Sequence, residues 1–212
     1  MSTPPIRVVV ADDHPGVLSG LVALLDSAPD ITVVGRAADG AAAVEETRAH
    51  RPDVVLTDVR MPGATGIEIT PRLRALGASV LVISGFDLDE AVLGALGAGA
   101  DGYLVKSEEP QRILAAVRDV HRGDAVLSAG ATRTVLAALR GADGAGSGPD
   151  PAFTGREEDV LALVAQGRTN QQIASALFVE VSTVKSHLSH ALTKLGLESR
   201  VQAALWWQRH RG

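Results

Sequence analysis

Short apolar runs recur five times in the first half of the chain, as IRVVVA (6–11), ITVVGRA (31–37), VVLTD (54–58), SVLVIS (79–84) and GYLVK (102–106). Between them, residues 16–27, 39–50, 66–76, 88–98 and 109–122 carry apolar positions at helical spacing. Several of the runs are apolar on both faces, which suits strands of a parallel sheet covered by helices on each side. The pattern predicts an α/β doubly wound five-stranded parallel sheet, whose ligands gather at the carboxyl ends of the strands.

The alternation stops after Gly123. A short helical stretch, ATRTVLAALR (131–140), leads into GADGAGSGPDP (141–151), which has no apolar periodicity and reads as a flexible linker. Four short helical patterns and no strand follow. The expected organisation is therefore residues 1–123 as the α/β domain, 124–152 as a linker with one short helix, and 153–212 as a small all-α domain. The glycines of GALGAGADG (94–102) close a helix and lead into a strand, the reverse of a phosphate loop.

Composition sharpens this picture. With 46% hydrophobic and only 3% aromatic residues, the core must be built from Ala, Val and Leu. The chain has no cysteine, which excludes disulfides, thiolate metal sites and cysteine nucleophiles. No apolar run approaches membrane-spanning length and the N-terminus lacks a signal-peptide core, so a cytoplasmic protein without membrane contact is expected. The net charge of −5 divides unevenly: residues 1–152 hold 13 Lys and Arg against 20 Asp and Glu, and residues 153–212 hold 7 against 5, with three histidines. An acidic first part and a mildly basic second part fit a regulatory half joined to a nucleic-acid-binding half.

Asp12 and Asp13 follow the first strand, Asp58 ends the third, Ser84 ends the fourth and Lys106 ends the fifth. In a parallel sheet all five converge on one rim. Clustered carboxylates repel one another, and a hard divalent cation relieves that repulsion. Asp58 is then placed to attack a phosphoryl group as a carboxylate nucleophile. The metal, Lys106 and the Ser84 hydroxyl would stabilise the phosphoryl oxygens.

In the second part, Thr154 and Glu157 form one capping box and Thr169 and Gln172 another. Two short helices then lead to STVKSHLSHALTKLG (182–196), a helix-turn-helix arrangement. At 100° per residue Val184, Leu188, Ala191 and Leu195 form one stripe, and Ser182, Lys185, Ser186, Ser189, His190 and Thr193 the opposite face. That face has no acid and reads either as a solvated surface or as a surface laid in the DNA major groove, with Lys185 near a base edge or phosphate. Lys194 points sideways, toward a phosphate. Trp206 and Trp207 are adjacent, so at least one is expected to meet solvent or a partner.

VVVADDHPG, LTDVRMPGATGIE, VLVISG and GADGYLVKS together resemble the receiver domain of two-component response regulators, which is flavodoxin-like. The segment FTGREEDVLALVAQGRTNQQIASALFVEVSTVKSHLSHALTKLGLESRVQAALW is similar to the LuxR-type DNA-binding domain, and the pair resembles the NarL/FixJ family of transcription factors. The resemblance implies that Asp58 is the phosphoacceptor for a sensor histidine kinase. It implies that Asp13, Asp58 and the backbone carbonyl of Arg60 bind Mg²⁺ (or Mn²⁺), with Asp12 reaching it through water. Ser84 and Tyr103 are implied as a switch pair, although Tyr103 also reads as a strand aromatic packed under a helix. The implied groove contacts are Lys185, Ser186 and Ser189, with Thr183, His187 and Lys194 nearby; Ser189 stands where other members carry a basic residue. Phosphorylation is expected to drive formation of a homodimer on two half-sites of double-stranded DNA, with the last helix in dimer contacts. Arg60 and Phe86 flank the pocket and are expected to slow attack by water, giving a moderately long-lived phosphoryl state.

Two other functions compete. A Mg²⁺-dependent phosphohydrolase using Asp58 would need a second acid two residues on, where this chain has Arg60, and it would need a substrate domain. A DNA-binding scaffold with a silent receiver would lack a pocket residue, and none is missing. The expected protein is not an enzyme beyond transfer and loss of its own phosphoryl group.

Overall fold

The computed structural model describes residues 4–85, 89–141, 152–197 and 199–211. Phe86 and most of the glycine-rich stretch after α6 lie outside these. The elements run β1 (Ile6–Ala11), α1 (Pro15–Asp26), β2 (Ile31–Ala37), α2 (Gly40–His50), β3 (Val54–Asp58), α3 (Gly66–Ala75), β4 (Ser79–Ser84), α4 (Asp89–Gly97), β5 (Gly102–Val105), α5 (Pro110–His121), β6 (Val126–Leu127) and α6 (Ala129–Gly141). Four helices follow: α7 (Gly155–Ala165), α8 (Asn170–Leu177), α9 (Val181–Leu195) and α10 (Arg200–His210).

The strands form one parallel sheet in the order β2-β1-β3-β4-β5-β6. Alternation sorts its side chains between two apolar layers. Val9, Val55, Val80, Val82 and Tyr103 face α2, α3 and α4, where Val44, Ile69, Leu73, Val92 and Leu96 complete one cluster. Val8, Val10, Leu56, Leu81, Ile83 and Leu104 face α1 and α5, meeting Val22, Leu25, Ile113 and Val117. This is the doubly wound flavodoxin-like sheet, with six strands rather than the expected five. The extra strand is only two residues long and lies in the segment expected to be linker; Gly102 and Tyr103 of β5 pair with Val126 and Leu127. The glycines after α4 do close that helix, Gly99 taking a positive φ of 96°.

In the helical part, Val160, Leu161, Val164, Ile173, Val184, Leu188, Ala191 and Ala203 form a separate small core. Leu195 is only half-buried at the end of the α9 stripe. Among the described residues no helix is long and apolar enough to cross a membrane.

Candidate functional site

Register brings the strand ends together. Ala11 pairs with Thr57, Asp58 with Ile83 and Ser84 with Val105. Asp12, Asp58, Ser84 and Lys106 therefore leave the sheet on one rim. The Lys106 ammonium lies 2.6 Å from Asp12 Oδ2 and 3.0 Å from Asp58 Oδ2. Burial alone would lower the Lys106 pKa, but the two carboxylates outweigh it and hold the group above its ordinary value. The backbone N–H of Val59 donates to Asp58 Oδ1 at 2.8 Å, which fixes the carboxylate while leaving its Oδ2 edge toward Lys106.

Asp12 is buried, and its Oδ1 accepts the His14 N–H at 2.9 Å. Its buried Oδ2 has the Lys106 ammonium at 2.6 Å as its charge partner among the described residues. Asp13 is half-buried and takes His14 Nδ1 at 2.8 Å. One ligand atom from each of Asp12, Asp13 and His14 lies within 4.8 Å of the others. A buried carboxylate whose Oδ2 meets one ammonium and no backbone donor, beside a second carboxylate, suits a hard divalent cation. His14 was not anticipated from the sequence, although it directly follows the acid pair.

The loop from β3 to α3 depends on Gly66. Its N–H donates to the Val59 carbonyl at 3.0 Å, and a Cβ placed on it would stand 2.0 Å from the Asp58 carbonyl oxygen. Gly66→Ala must push the start of α3 away from the residue proposed to react. A loss of about 2 kcal/mol is expected, seen as a lower melting temperature together with slower phosphoryl uptake. Normal values of both would contradict this reading of the loop.

Of the other expected pocket residues, Ser84 is buried at the end of β4, and its carbonyl accepts the Lys106 N–H at 2.6 Å. Tyr103 is fully buried in the cluster beneath α4, so its ring points inward. Arg60 is exposed two residues beyond Asp58.

In the helical part, Lys185, Ser186 and Ser189 are exposed on α9 while Thr183 and His187 are half-buried. Lys194 is exposed but reaches across to the start of α7: its Nζ lies 2.6 Å from Glu157 Oε2 and donates to the Ala152 carbonyl at 3.2 Å. Glu157 also closes the capping box of α7 by accepting the Thr154 N–H at 2.7 Å. The Lys194 hydrogen bond, with the Thr154 N–H, holds the Glu157 carboxyl down to about 2. A depressed carboxylate pKa stabilises the fold above the unfolded value of 4.5, and that stability is lost as pH falls toward 2. Glu157→Gln is expected to cost about 1–2 kcal/mol at pH 7, discounted because Lys194 is partly in solvent. The gap from wild type should close as melting curves are taken from pH 5.5 down to pH 2; a gap that persists at low pH would remove the charge from the explanation.

Trp206 and Trp207 are both half-buried, so each keeps part of its surface in solvent. Trp206 stacks on His210 at 4.6 Å and meets Phe153 edge-on at 5.6 Å, while Trp207 packs on the helical core with the Arg211 guanidinium 6.0 Å from its ring. Neighbouring residues on a helix diverge, and here Phe153 and His210 flank one ring while Arg211 lies over the other.

A second polar cluster joins the sheet domain to the helices, and no local pattern announced it. Asn170, the first residue of α8, donates its backbone N–H to Asp124 Oδ1 at 3.0 Å and its amide to the carbonyls of Arg122 and Gly123. Arg200, the first residue of α10, donates to the carbonyls of Gly123 and Arg168 and to Asn170 Oδ1, and lies 3.6 Å from Asp124. Asn170, Arg200 and Asp124 are all buried. Burial lowers the Arg200 pKa, and Asp124 and Asp101 oppose that. Gln202 donates to the Gly97 carbonyl at the end of α4 at 2.8 Å, and Val201 joins the apolar cluster of the sheet domain. Beside these contacts a cavity of about 380 Å³ opens between β6, α6, α7 and α10, lined by Leu127, Val135, Leu136, Val164 and Leu205 among others.

Residues 8–118 match the response regulator receiver domain, and residues 151–207 match the luxR family of bacterial regulatory proteins. The chain is 40% identical over 209 residues to the nitrate/nitrite response regulator protein NarL of Escherichia coli (strain K12), covering 98% of this chain and 97% of that one. It is 40% identical over 203 residues to the DNA-binding transcriptional activator DevR/DosR of Mycobacterium tuberculosis (strain ATCC 25618 / H37Rv), covering 95% and 93%. The crystal structure of the response regulator ChrA of a heme-sensing two-component system superposes with a TM-score of 0.55 at 36% identity over 99% of each chain. With both halves matched in order and nearly the whole length shared, the chain belongs to the two-component response regulators that join a receiver domain to a LuxR-type DNA-binding domain, a family of transcription factors.

Proposed function

We propose that Asp58 is the phosphoacceptor of this regulator and that its phosphorylation by a sensor histidine kinase frees the LuxR-type domain for DNA. The observation that carries the reading is the Lys106 ammonium held between Asp12 and Asp58 at the carboxyl rim of the sheet. An Asp58 oxygen attacks phosphorus, and the donor leaves with the electron pair of the bond it shared with phosphorus. Lys106 follows the charge that this adds, and the Ser84 hydroxyl donates to a phosphoryl oxygen. Asp12, Asp13, Asp58 and the Arg60 carbonyl would hold Mg²⁺ (or Mn²⁺), which when bound neutralises phosphoryl charge. Ser84 and Tyr103 transmit the change as a switch pair toward α4.

Residues 1–123 act as the receiver, 124–152 as the connection and 153–212 as the DNA-binding unit, in the cytoplasm. Lys185, Ser186 and Ser189 meet the major groove, with Thr183 and His187 at its edge. Lys194 reaches phosphate only by leaving Glu157, so its first role is to fasten α9 to α7. The docked arrangement supports control by separation. A Cβ on Gly123 would lie 3.8 Å from the Lys185 side chain, so a duplex laid on that side of α9 competes with the receiver loop. Polar contacts beside an open cavity make a junction that comes apart more readily than a close-packed apolar one. Once freed, two chains pair on two half-sites as a homodimer, with α10 released from α4 and available for the contact.

The test is binding of a randomised duplex pool before and after treatment with acetyl phosphate and Mg²⁺, with oligomeric state followed in parallel. Tighter binding and dimerisation after treatment are expected. Equal binding and an unchanged mass would leave a DNA-binding protein with a silent receiver.

A further inference from the structure

Phe178 stands apart from every other large apolar side chain among the described residues. It is 95% exposed, whereas the next, Leu136, is 46% exposed and borders the interdomain cavity. Phe178 also closes α8 in the left-handed region, at φ 57° and ψ 45°. Arg51 is the other non-glycine described at positive φ. Glycine or asparagine takes this conformation at lower cost than a bulky aromatic residue. A ring at such a cap usually repays the cost by packing on the preceding turn, and a ring this exposed does not. The position thus combines backbone strain with an unburied ring, and neither is returned by the fold. An outlier of this kind points to a use outside the folded chain.

The surroundings indicate which use. Phe178 lies in an open groove shared with Gln171 and Ser175 of α8 and with Glu180, Val181 and Thr183 at the start of α9. The groove is therefore continuous with the face of α9 assigned above to DNA. Hydroxyl and amide groups on its rim suit phosphate oxygens. An aromatic ring beside them suits the 5-methyl group of thymine, the apolar feature of the major groove. The single acid, Glu180, disfavours phosphate but accepts from a cytosine amino group, which sets this corner toward base edges. At its opposite end α8 is tied to the receiver through Asn170, so docking leaves the ring uncovered.

We propose that Phe178 is a DNA contact, its ring lying on a thymine methyl group at the edge of the site read by α9. The proposal rests on the assignment of α9 to the major groove. The full-length chain, treated with acetyl phosphate and Mg²⁺, is used to select duplexes from a randomised pool, and the selected duplex becomes the probe. Each thymine in turn is then replaced by deoxyuridine, which lacks only the methyl group. At one position wild type should bind about fourfold more weakly, the weight of one buried methyl. Phe178→Asn should bind the unaltered probe at least about fourfold more weakly and be indifferent to that deoxyuridine. Its melting temperature should equal or exceed that of wild type, because asparagine tolerates the left-handed cap.

Wild-type affinity in Phe178→Asn, or an unchanged response to every deoxyuridine, would overturn the proposal. So would normal DNA binding combined with loss of transcription by added RNA polymerase, which would assign the ring to a protein partner instead. Failure of the wild-type chain to select any duplex would overturn the DNA reading of α9, and this contact with it.

Discussion

Asp58→Ala and Asp58→Asn are both expected to take up no phosphoryl group from acetyl phosphate and Mg²⁺, while the wild-type chain takes up one. The effect is complete because the nucleophile itself is removed; an amide or a methyl group cannot form the acyl–oxygen–phosphorus link. The two variants separate chemistry from folding. Asparagine keeps an oxygen for the Val59 N–H that now donates to Asp58 Oδ1 at 2.8 Å, so the β3–α3 turn should persist and the melting temperature stay close to wild type. Alanine leaves that N–H and one side of Lys106 without their partner. Intact-protein mass reads the uptake. Incorporation into Asp58→Asn at the wild-type level would move the acceptor elsewhere and sink the proposed function, whereas loss in Asp58→Ala alone would point to a folding defect.

How the pocket was legible explains what was not. Asp12, Asp58, Ser84 and Lys106 each sit at the end of an apolar run, and parallel pairing converts that one-dimensional position into a shared rim. The two helix faces of the sheet follow from period-two alternation in the same way. The sixth strand escaped because Val126–Leu127 is too short for alternation to show; it exists by pairing with β5, a tertiary effect. The capping box of α10, Ser199 with Gln202, stands in the sequence at the usual spacing. The Glu157–Lys194 pair spans 37 residues and the Asn170–Asp124 contact 46. Polar side chains that meet at such separations carry no local period, and their burial is visible only once the domains are placed together. Phe178 was legible as a residue and invisible as an anomaly, since a dihedral angle and an exposure are needed to see one.

Asp124→Ala is expected to raise the DNA affinity of the unphosphorylated chain about thirtyfold and to leave that of the phosphorylated chain nearly unchanged. Asp124 belongs to the receiver side of the junction, so the variant leaves the LuxR-type core and the α9 face intact. The wild-type carboxylate accepts the Asn170 N–H at 3.0 Å and lies 3.6 Å from the Arg200 guanidinium. Without it, the docked state keeps a buried N–H without its acceptor and a buried cation short of one counter-charge, while the undocked state hydrates both. A hydrogen bond to a charged group contributes about 2 kcal/mol. If docking hides Lys185 beside Gly123, that energy passes directly into the fraction of chains competent for DNA, about thirtyfold at this magnitude. On the proposed mechanism phosphorylated wild type has already given up the contact, so removing it again changes little. Titration of the same selected duplex with both proteins, before and after acetyl phosphate, measures all four affinities. Equal affinities of variant and wild type in the unphosphorylated state would show that the junction does not restrain α9. A thirtyfold gain in both states would instead make Asp124 a general brake on binding, with no connection to Asp58.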